Sequence, residues 1–349
     1  MRVHVRALLV VVTLTIGALL ATGSASAAAT VAPPRDVAVW LPYWTQATAT
    51  RTLVAQRASI SVADPFWYEA RGATVIAAHP GAGNAGVVRA LRGARIKVVP
   101  TVTTSFRGDV AERWLTSATW RRRHVATLAA LVQRNGYDGI DLDYETIALT
   151  TSARRAIRIR AGFTALVREL CPVLRARGKQ CLVTVMPRTS ARFEVWHGVL
   201  IPAVYDYAAL AAAADRMRVM AYDQHTHTTS PGPIAGMPWV RQVATYARSA
   251  APVAKLELGI PLYGRNWGGG AVRVVLGPEA ERLRRSVGAA RRWSAVEQAP
   301  YFRYRGHVVW YNDGAAVRAR ARYARSLGFA GVALWAAGQE LPTVWPALR

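Results

Sequence analysis

A chain of 349 residues, 52% hydrophobic and 19% charged, has ample apolar material for one large core, which excludes global disorder. Its 45 lysines and arginines against 20 aspartates and glutamates give a formal charge of +25, so polyanions are the expected large partners. The arginines spread along predicted helices (121–123, 154–160, 318–325) instead of forming one stripe with interleaved aromatics; this argues against nucleic acid and for a solvated shell or an anionic cell wall.

The chain starts with Arg2 and Arg6, an almost wholly apolar run at 7–21, and Ala25-Ser26-Ala27, an A-x-A cleavage site. Residues 1–27 read as a secretory signal, because the run falls short of the ~20 apolar residues that span a bilayer. Cleavage of this segment and its retention as an anchor both stay open. Residues 28–36, with Pro33 and Pro34, read as a linker, and 37–349 as one domain.

A first strand at 37–41 ends in Pro42-Tyr43-Trp44. A helix at 45–57, a strand from 59–62 into Phe66-Trp67-Tyr68, helical sequence at 87–92, a strand at 96–102 and a helix at 120–134 follow. Asn135-Gly136 stops that helix. A fourth strand runs up to Glu145. The rhythm continues with a helix at 152–177, strand 182–187, helix 207–214, strand 217–223, helix 238–249 and strand 255–261. A turn-rich connection through 301–304 and 308–310, a helix at 315–326 and a strand at 331–335 complete the chain. Eight strands alternating with helices predict a single-domain α/β fold, a parallel (β/α)8 barrel with a short insertion between strands seven and eight. Cys171 and Cys181, ten residues apart at a helix end and on the next strand, are expected to form a structural disulfide.

The fourth strand is chemically unusual. Asp141, Asp143 and Glu145 alternate with Ile140, Leu142 and Tyr144, so three carboxyls share one face. Like charges this close resist ionising together. The arrangement suits a carboxyl that must hold a proton for donation, or a metal. Solvated acids on an exposed edge strand are the bland alternative, disfavoured by the apolar opposite face. In a barrel of this kind the site forms at the C-terminal strand ends. There the carboxyls meet Thr101 and Thr103 from strand three, Tyr222 and Asp223 from six, Tyr263, Arg265 and Trp267 from seven, and Trp335 from eight. Aromatic walls over a carboxylate floor suit a sugar. His225 and His227 invite a metal reading, but no third-ligand pattern accompanies them, so neither metal nor cofactor is expected.

Asp138-x-x-Asp141-x-Asp143-x-Glu145 resembles the signature of glycoside hydrolase family 18, the chitinase-like enzymes. Met220-Ala221-Tyr222-Asp223, Gly259-Ile260-Pro261-Leu262-Tyr263-Gly264-Arg265-x-Trp267 and Gly331-Val332-Ala333-Leu334-Trp335 match further family motifs in order. Pro238-Trp239-Val240 and His307-Val308-Val309-Trp310-Tyr311-Asn312-Asp313 look like its spore-cortex and wall-lytic branch.

The resemblance implies a glycosidase acting on β-1,4 bonds that adjoin N-acetylglucosamine; with the signal at 1–27 it is expected to be secreted, and it is expected to be a monomer. Glu145 is then the acid, and the substrate's own acetamido group the nucleophile. Asp143 holds the acetamido N–H, Asp141 shares a proton with Asp143, and Tyr222 donates to the acetyl oxygen. Trp335 floors the sugar subsite. Asp223 bonds a hydroxyl or orients Arg265, while Tyr43, Trp44 and Trp67 are sugar platforms or core. Asp138 has the wrong parity for the acid line and reads as structural. Chitin, peptidoglycan and N-glycans all carry the required group; the basic charge and the wall-lytic likeness favour peptidoglycan, and the short insertion a non-processive enzyme. The alternative is a chitinase-like glycan-binding protein without catalysis. Such proteins usually lack the motif's Glu, which is present here as Glu145.

Overall fold

The computed structural model describes residues 36–192 and 204–349. The predicted signal and most of the predicted linker lie outside the described residues; Asp36 already belongs to the first strand. Eight strands form the barrel: β1 Asp36–Pro42, β2 Val62–Ala70, β3 Thr101–Thr104, β4 Gly139–Asp143, β5 Gln180–Val185, β6 Arg216–Val219, β7 Leu256–Pro261 and β8 Gly331–Trp335. Each pairs in parallel with its successor, and β8 pairs with β1 to close the ring. Helices α1 Gln46–Ala55, α2 Ala85–Gly93, α3 Gly108–Leu115, α4 Ala118–Arg134, α5 Ala153–Arg175, α6 Tyr207–Ala213 and α7 Met237–Ala250 lie along the chain between strands. After β7 come α8 Gly277–Ser286 and α9 Gly314–Ser326.

Local chemistry explains the boundaries. Asn84, Ser117, Ser152, Asp206 and Asp313 each accept a backbone N–H at the start of a helix. In α5, Ile159, Phe163, Leu166, Leu170 and Leu174 recur at three- and four-residue spacing and are buried against the barrel. The strands are buried on both faces, which accounts for their near-continuous apolar runs. Cys171 of α5 and Cys181 of β5 are joined in a disulfide between helix and strand.

Several elements differ from the sequence expectation. The third strand is split at Val99-Pro100, with Lys97–Val98 pairing separately to β2, since proline supplies no N–H to a ladder. Strand β6 ends at Val219; beyond it Ala221 N donates back to Val219 O, Tyr222 N to Met220 O, and Asp223 takes φ +59°. Helix α3 starts after Arg107 with no side-chain cap, and only Asp109 in its first turn marks its start. The turn-rich connection is an ordered five-stranded antiparallel sheet of Tyr263–Gly268, Ala271–Leu276, Arg292–Ser294, Ala299–Tyr304 and His307–Trp310. Its first hairpin turns at Gly268-Gly269-Gly270, all at positive φ, where a side chain would be strained.

The barrel interior is charged as well as apolar. Arg218 of β6 is fully buried, with Nη1 2.8 Å from Asp64 Oδ1 and Nε donating to Glu257 Oε2 at 2.6 Å. Its guanidinium lies 5.4 Å from the Trp40 ring centroid. Burial pushes the Asp64 carboxyl up to about 8 against the pull of Arg218. The folded chain therefore keeps a proton that the unfolded chain releases near 4, so this group's contribution to stability falls as pH rises from about 4 to 8. His124, held down at about 4 by burial, works in the opposite sense only below its ordinary value of 6.5. Thermal melts should therefore show Tm falling from pH 6.5 to pH 8, and Asp64→Asn should flatten that fall. An unchanged slope in the variant would show that Asp64 is not the group responsible.

Candidate active site

Strand β4 delivers Asp141 and Asp143 into the barrel, and the chain turns into a single 3-10 turn, Thr146–Ala148, directly after Glu145. Asp141 is fully buried and held from four strands. Its Oδ2 accepts from Trp40 Nε1 at 3.2 Å and Thr101 Oγ1 at 3.0 Å, and its Oδ1 from Thr184 Oγ1 at 2.9 Å. Arg218 Nη1 lies 3.6 Å from Oδ2. Asp143, one step nearer the mouth, is buried, and its Oδ1 has no hydrogen-bond partner in the protein. Burial first, then the charges of Glu145 and Asp141, raise its carboxyl well above the usual range.

Glu145 is partly buried at the strand end. Burial, with a smaller contribution from the Asp223 charge, pushes it up to about 7. At neutral pH this carboxyl is poised between holding and releasing a proton, which is where a general acid–base works best. Tyr222 is buried beside these acids, and burial, then the charges of Asp143 and Glu145, raise its hydroxyl. Asp223 Oδ1 accepts from Tyr263 Oη at 2.5 Å and Arg265 Nη2 at 2.7 Å, so these two residues fix the carboxylate that faces Glu145. The structure thus brings Asp141, Asp143, Glu145, Tyr222, Asp223, Tyr263 and Arg265 into one interacting set.

The aromatic residues divide. Trp335, partly exposed at the end of β8, meets Trp40 edge-on at 5.8 Å and Phe66 at 5.2 Å. Phe66 continues to Trp44 at 6.2 Å, Trp44 to Tyr43 at 4.8 Å, and Tyr43 stacks on His79 at 4.6 Å. Trp44 is 56% exposed, so one aromatic array runs outward from the barrel mouth on the β1–β2–β8 side. Trp67 instead lies in the core with its N–H donated to Gln46 Oε1. Trp267 is also buried, its N–H donated to the Thr226 carbonyl at 3.2 Å, where it braces the loop after β6. His225 bonds the Ser230 carbonyl through Nδ1 within that loop. Asp138 accepts from Val98 N at 2.9 Å, tying β4 to the split third strand.

Sequence reasoning missed three supports. Tyr205 donates to the Tyr144 carbonyl between the two outer acids, and buried His124 bonds the Tyr144 hydroxyl, so the strand end is clamped from behind. His79 extends the aromatic array. Only fully buried polar residues opposite an apolar strand face would have hinted at these, and burial is not legible before the fold.

The profile of the glycosyl hydrolases family 18 matches residues 88–340. The cortical fragment-lytic enzyme of Bacillus subtilis is 24% identical over 253 residues, covering 69% of this chain and 56% of that protein. Di-N-acetylchitobiase of Rattus norvegicus is 25% identical over 294 residues, covering 70% of this chain and 75% of that protein. The chain spans little more than half the length of two Bacillus subtilis relatives that it matches, 57% and 56%. A solved chitinase from Chromobacterium violaceum ATCC 12472 shares the fold with a TM-score of 0.80 at 24% identity, covering 90% of this chain and 98% of that one.

Proposed function

From the premise that the chain belongs to glycosyl hydrolase family 18, we propose that it is a retaining glycosidase cleaving β-1,4 bonds that adjoin N-acetylglucosamine. The observation that carries this reading is the graded carboxyl set: Asp141 saturated by donors, Asp143 with an unpartnered buried oxygen, and Glu145 raised to about 7. Glu145 donates its proton to the glycosidic oxygen as the bond from that oxygen to C1 breaks. The substrate's acetamido carbonyl oxygen bonds to C1, giving an oxazolinium ion, while Asp143 accepts the acetamido N–H and the Asp141–Asp143 pair, with one proton between its two carboxyls, supplies the negative charge that balances the cation. Tyr222 donates its hydroxyl to the acetyl oxygen. Water then attacks C1 as the C1–O bond of the oxazolinium breaks, regenerating the acetamido group; the water's proton passes to Glu145, restoring both the acid and the starting anomeric configuration. Trp335 and the array beyond it stack on sugar faces, and Asp223, held by Tyr263 and Arg265, takes a sugar hydroxyl.

For the polymer we favour peptidoglycan. Exposed Arg122, Arg123, Arg154, Arg158, Arg318 and Arg322 on α4, α5 and α9 present positive charge suited to an anionic wall. Residues 1–27 fit an export signal, and the buried disulfide fits an oxidising compartment. No described helix is long and apolar enough to cross a membrane.

Reducing-end release from chitooligosaccharides and from purified peptidoglycan tests the reading. Faster release from peptidoglycan, with products of mixed length, is the expected result. Sugar binding without cutting of either polymer would replace it with the glycan-binding reading. Mainly disaccharide release from crystalline polymer without dissociation would overturn non-processive action.

A further inference from the structure

Arg218 is a buried cation that the proposed reaction does not employ, yet its Nη1 lies 3.6 Å from the innermost acid of the site. We propose that Arg218 is a positioning residue: fixed between Asp64, Glu257 and Asp141, its guanidinium holds Asp141 as the anion of the acid pair, so that the pair's proton rests on Asp143 beside Glu145. The proposal rests on the reading of Asp143 and Glu145 given above and names what sets their proton inventory.

The two inner acids are supported unequally. Asp141 receives three hydrogen-bond donors, from Trp40, Thr101 and Thr184, together with the nearby guanidinium, and each favours its charged form. Asp143 has a buried oxygen with no partner and faces the charges of Asp141 and Glu145, so it carries the neutral form more easily. Two carboxyls that share one proton place it on the member with the weaker support for charge.

The charged and aromatic groups around Arg218 come from β1, β2, β4 and β7 and from its own strand. Asp64 of β2 stands 2.8 Å away, and Glu257 of β7 accepts from its Nε at 2.6 Å. Trp40 of β1 lies under the guanidinium. Arg216 of the same strand binds Asp36 at 2.9 Å and stands 3.8 Å from Glu257, towards the N-terminal end of the barrel. Three acids around one base cannot all stay ionised away from water. The base must stay charged, so one acid takes a proton, and Asp64 is the acid that burial keeps neutral. Glu257 and Asp141 then share the cation. A brace needing only strength would be met by Glu257 alone; the position 3.6 Å from Asp141 ties the cation to the acid line.

The test is a 13C NMR titration of protein labelled at aspartate Cγ, with Asp141 and Asp143 assigned from Asp141→Asn and Asp143→Asn. Arg218→Met is expected to raise the Asp141 midpoint by about one pH unit or more, whereas Arg218→Lys keeps it within about 0.5 unit. Asp64→Asn keeps the cation and removes a group already neutral in that range, so it too is expected to leave the midpoint within about 0.5 unit. Arg218→Gln, which retains hydrogen-bonding atoms toward Glu257, carries the same expectation as Met and serves if that variant does not fold. A neutral variant that moves the midpoint by less than about 0.3 unit overturns the proposal, as does an Asp64→Asn shift equal to that of Arg218→Met. The acid limb of the pH–rate profile should rise with the midpoint. If the wild type cuts no polymer, the proposed function falls while the titration still decides the role of Arg218.

Discussion

Glu145→Gln is expected to lower kcat by at least about 10²–10⁴-fold while sugar binding survives. The amide matches the carboxyl in shape at a partly buried position, so the cleft keeps its form, but it has no acidic proton to give. The wild-type group is well placed for the loss to be large. Burial and the neighbouring Asp223 charge raise it to about 7, so a large fraction is protonated at neutral pH, and its release costs little. Asp223 itself is fixed by Tyr263 and Arg265, so this charge does not swing away when substrate leaves. Turnover of chitooligosaccharide measured beside calorimetric binding separates the two effects. A variant within tenfold of wild-type kcat would remove Glu145 from the chemistry.

Asp143→Asn should produce opposite changes in activity and stability. The buried carboxyl is the group available to accept the acetamido N–H, and with Asp141 it shares the negative charge that balances the oxazolinium, so kcat should fall by about 10²–10³-fold. The folded protein disfavours the charged form of Asp143, because burial, Glu145 and Asp141 all raise it. A raised carboxyl contributes stability at low pH that is lost as pH rises through its folded value. Asparagine has no charge to desolvate, so Tm at pH 8 should rise even as activity collapses. A site tuned for function at the expense of stability behaves in this way. A joint fall in kcat and Tm would instead mark Asp143 as a structural residue.

What the sequence discloses of this fold follows from physical pattern. The barrel is legible because strands buried on both faces leave continuous apolar runs between helices with ordinary caps. The parity of Asp141 and Asp143 is legible because side chains alternate in a strand. Glu145 keeps company with them although β4 ends at Asp143, because Glu145 already takes the helical backbone that opens the next turn. Arg218 is not legible: an arginine in Arg216-Met217-Arg218-Val219 reads as solvent-facing, and only closure of the barrel shows that it points inward to Asp64 and Glu257. The antiparallel sheet after β7 hides because its Ala271–Leu276 strand is largely exposed and its hairpin is glycine-rich, leaving no apolar run. Trp267 shows the limit of motif matching, since a tryptophan in a site motif is buried here beneath Thr226.

A retaining reaction in which Glu145 is the acid and the substrate supplies the nucleophile fixes which anomer is released first. Proton NMR of early hydrolysis of an N-acetylglucosamine oligosaccharide resolves the α and β reducing ends before they equilibrate. The β-anomer is expected first, with no cleavage of the de-N-acetylated oligosaccharide. Initial α-anomer, or equal cutting of both substrates, would contradict it.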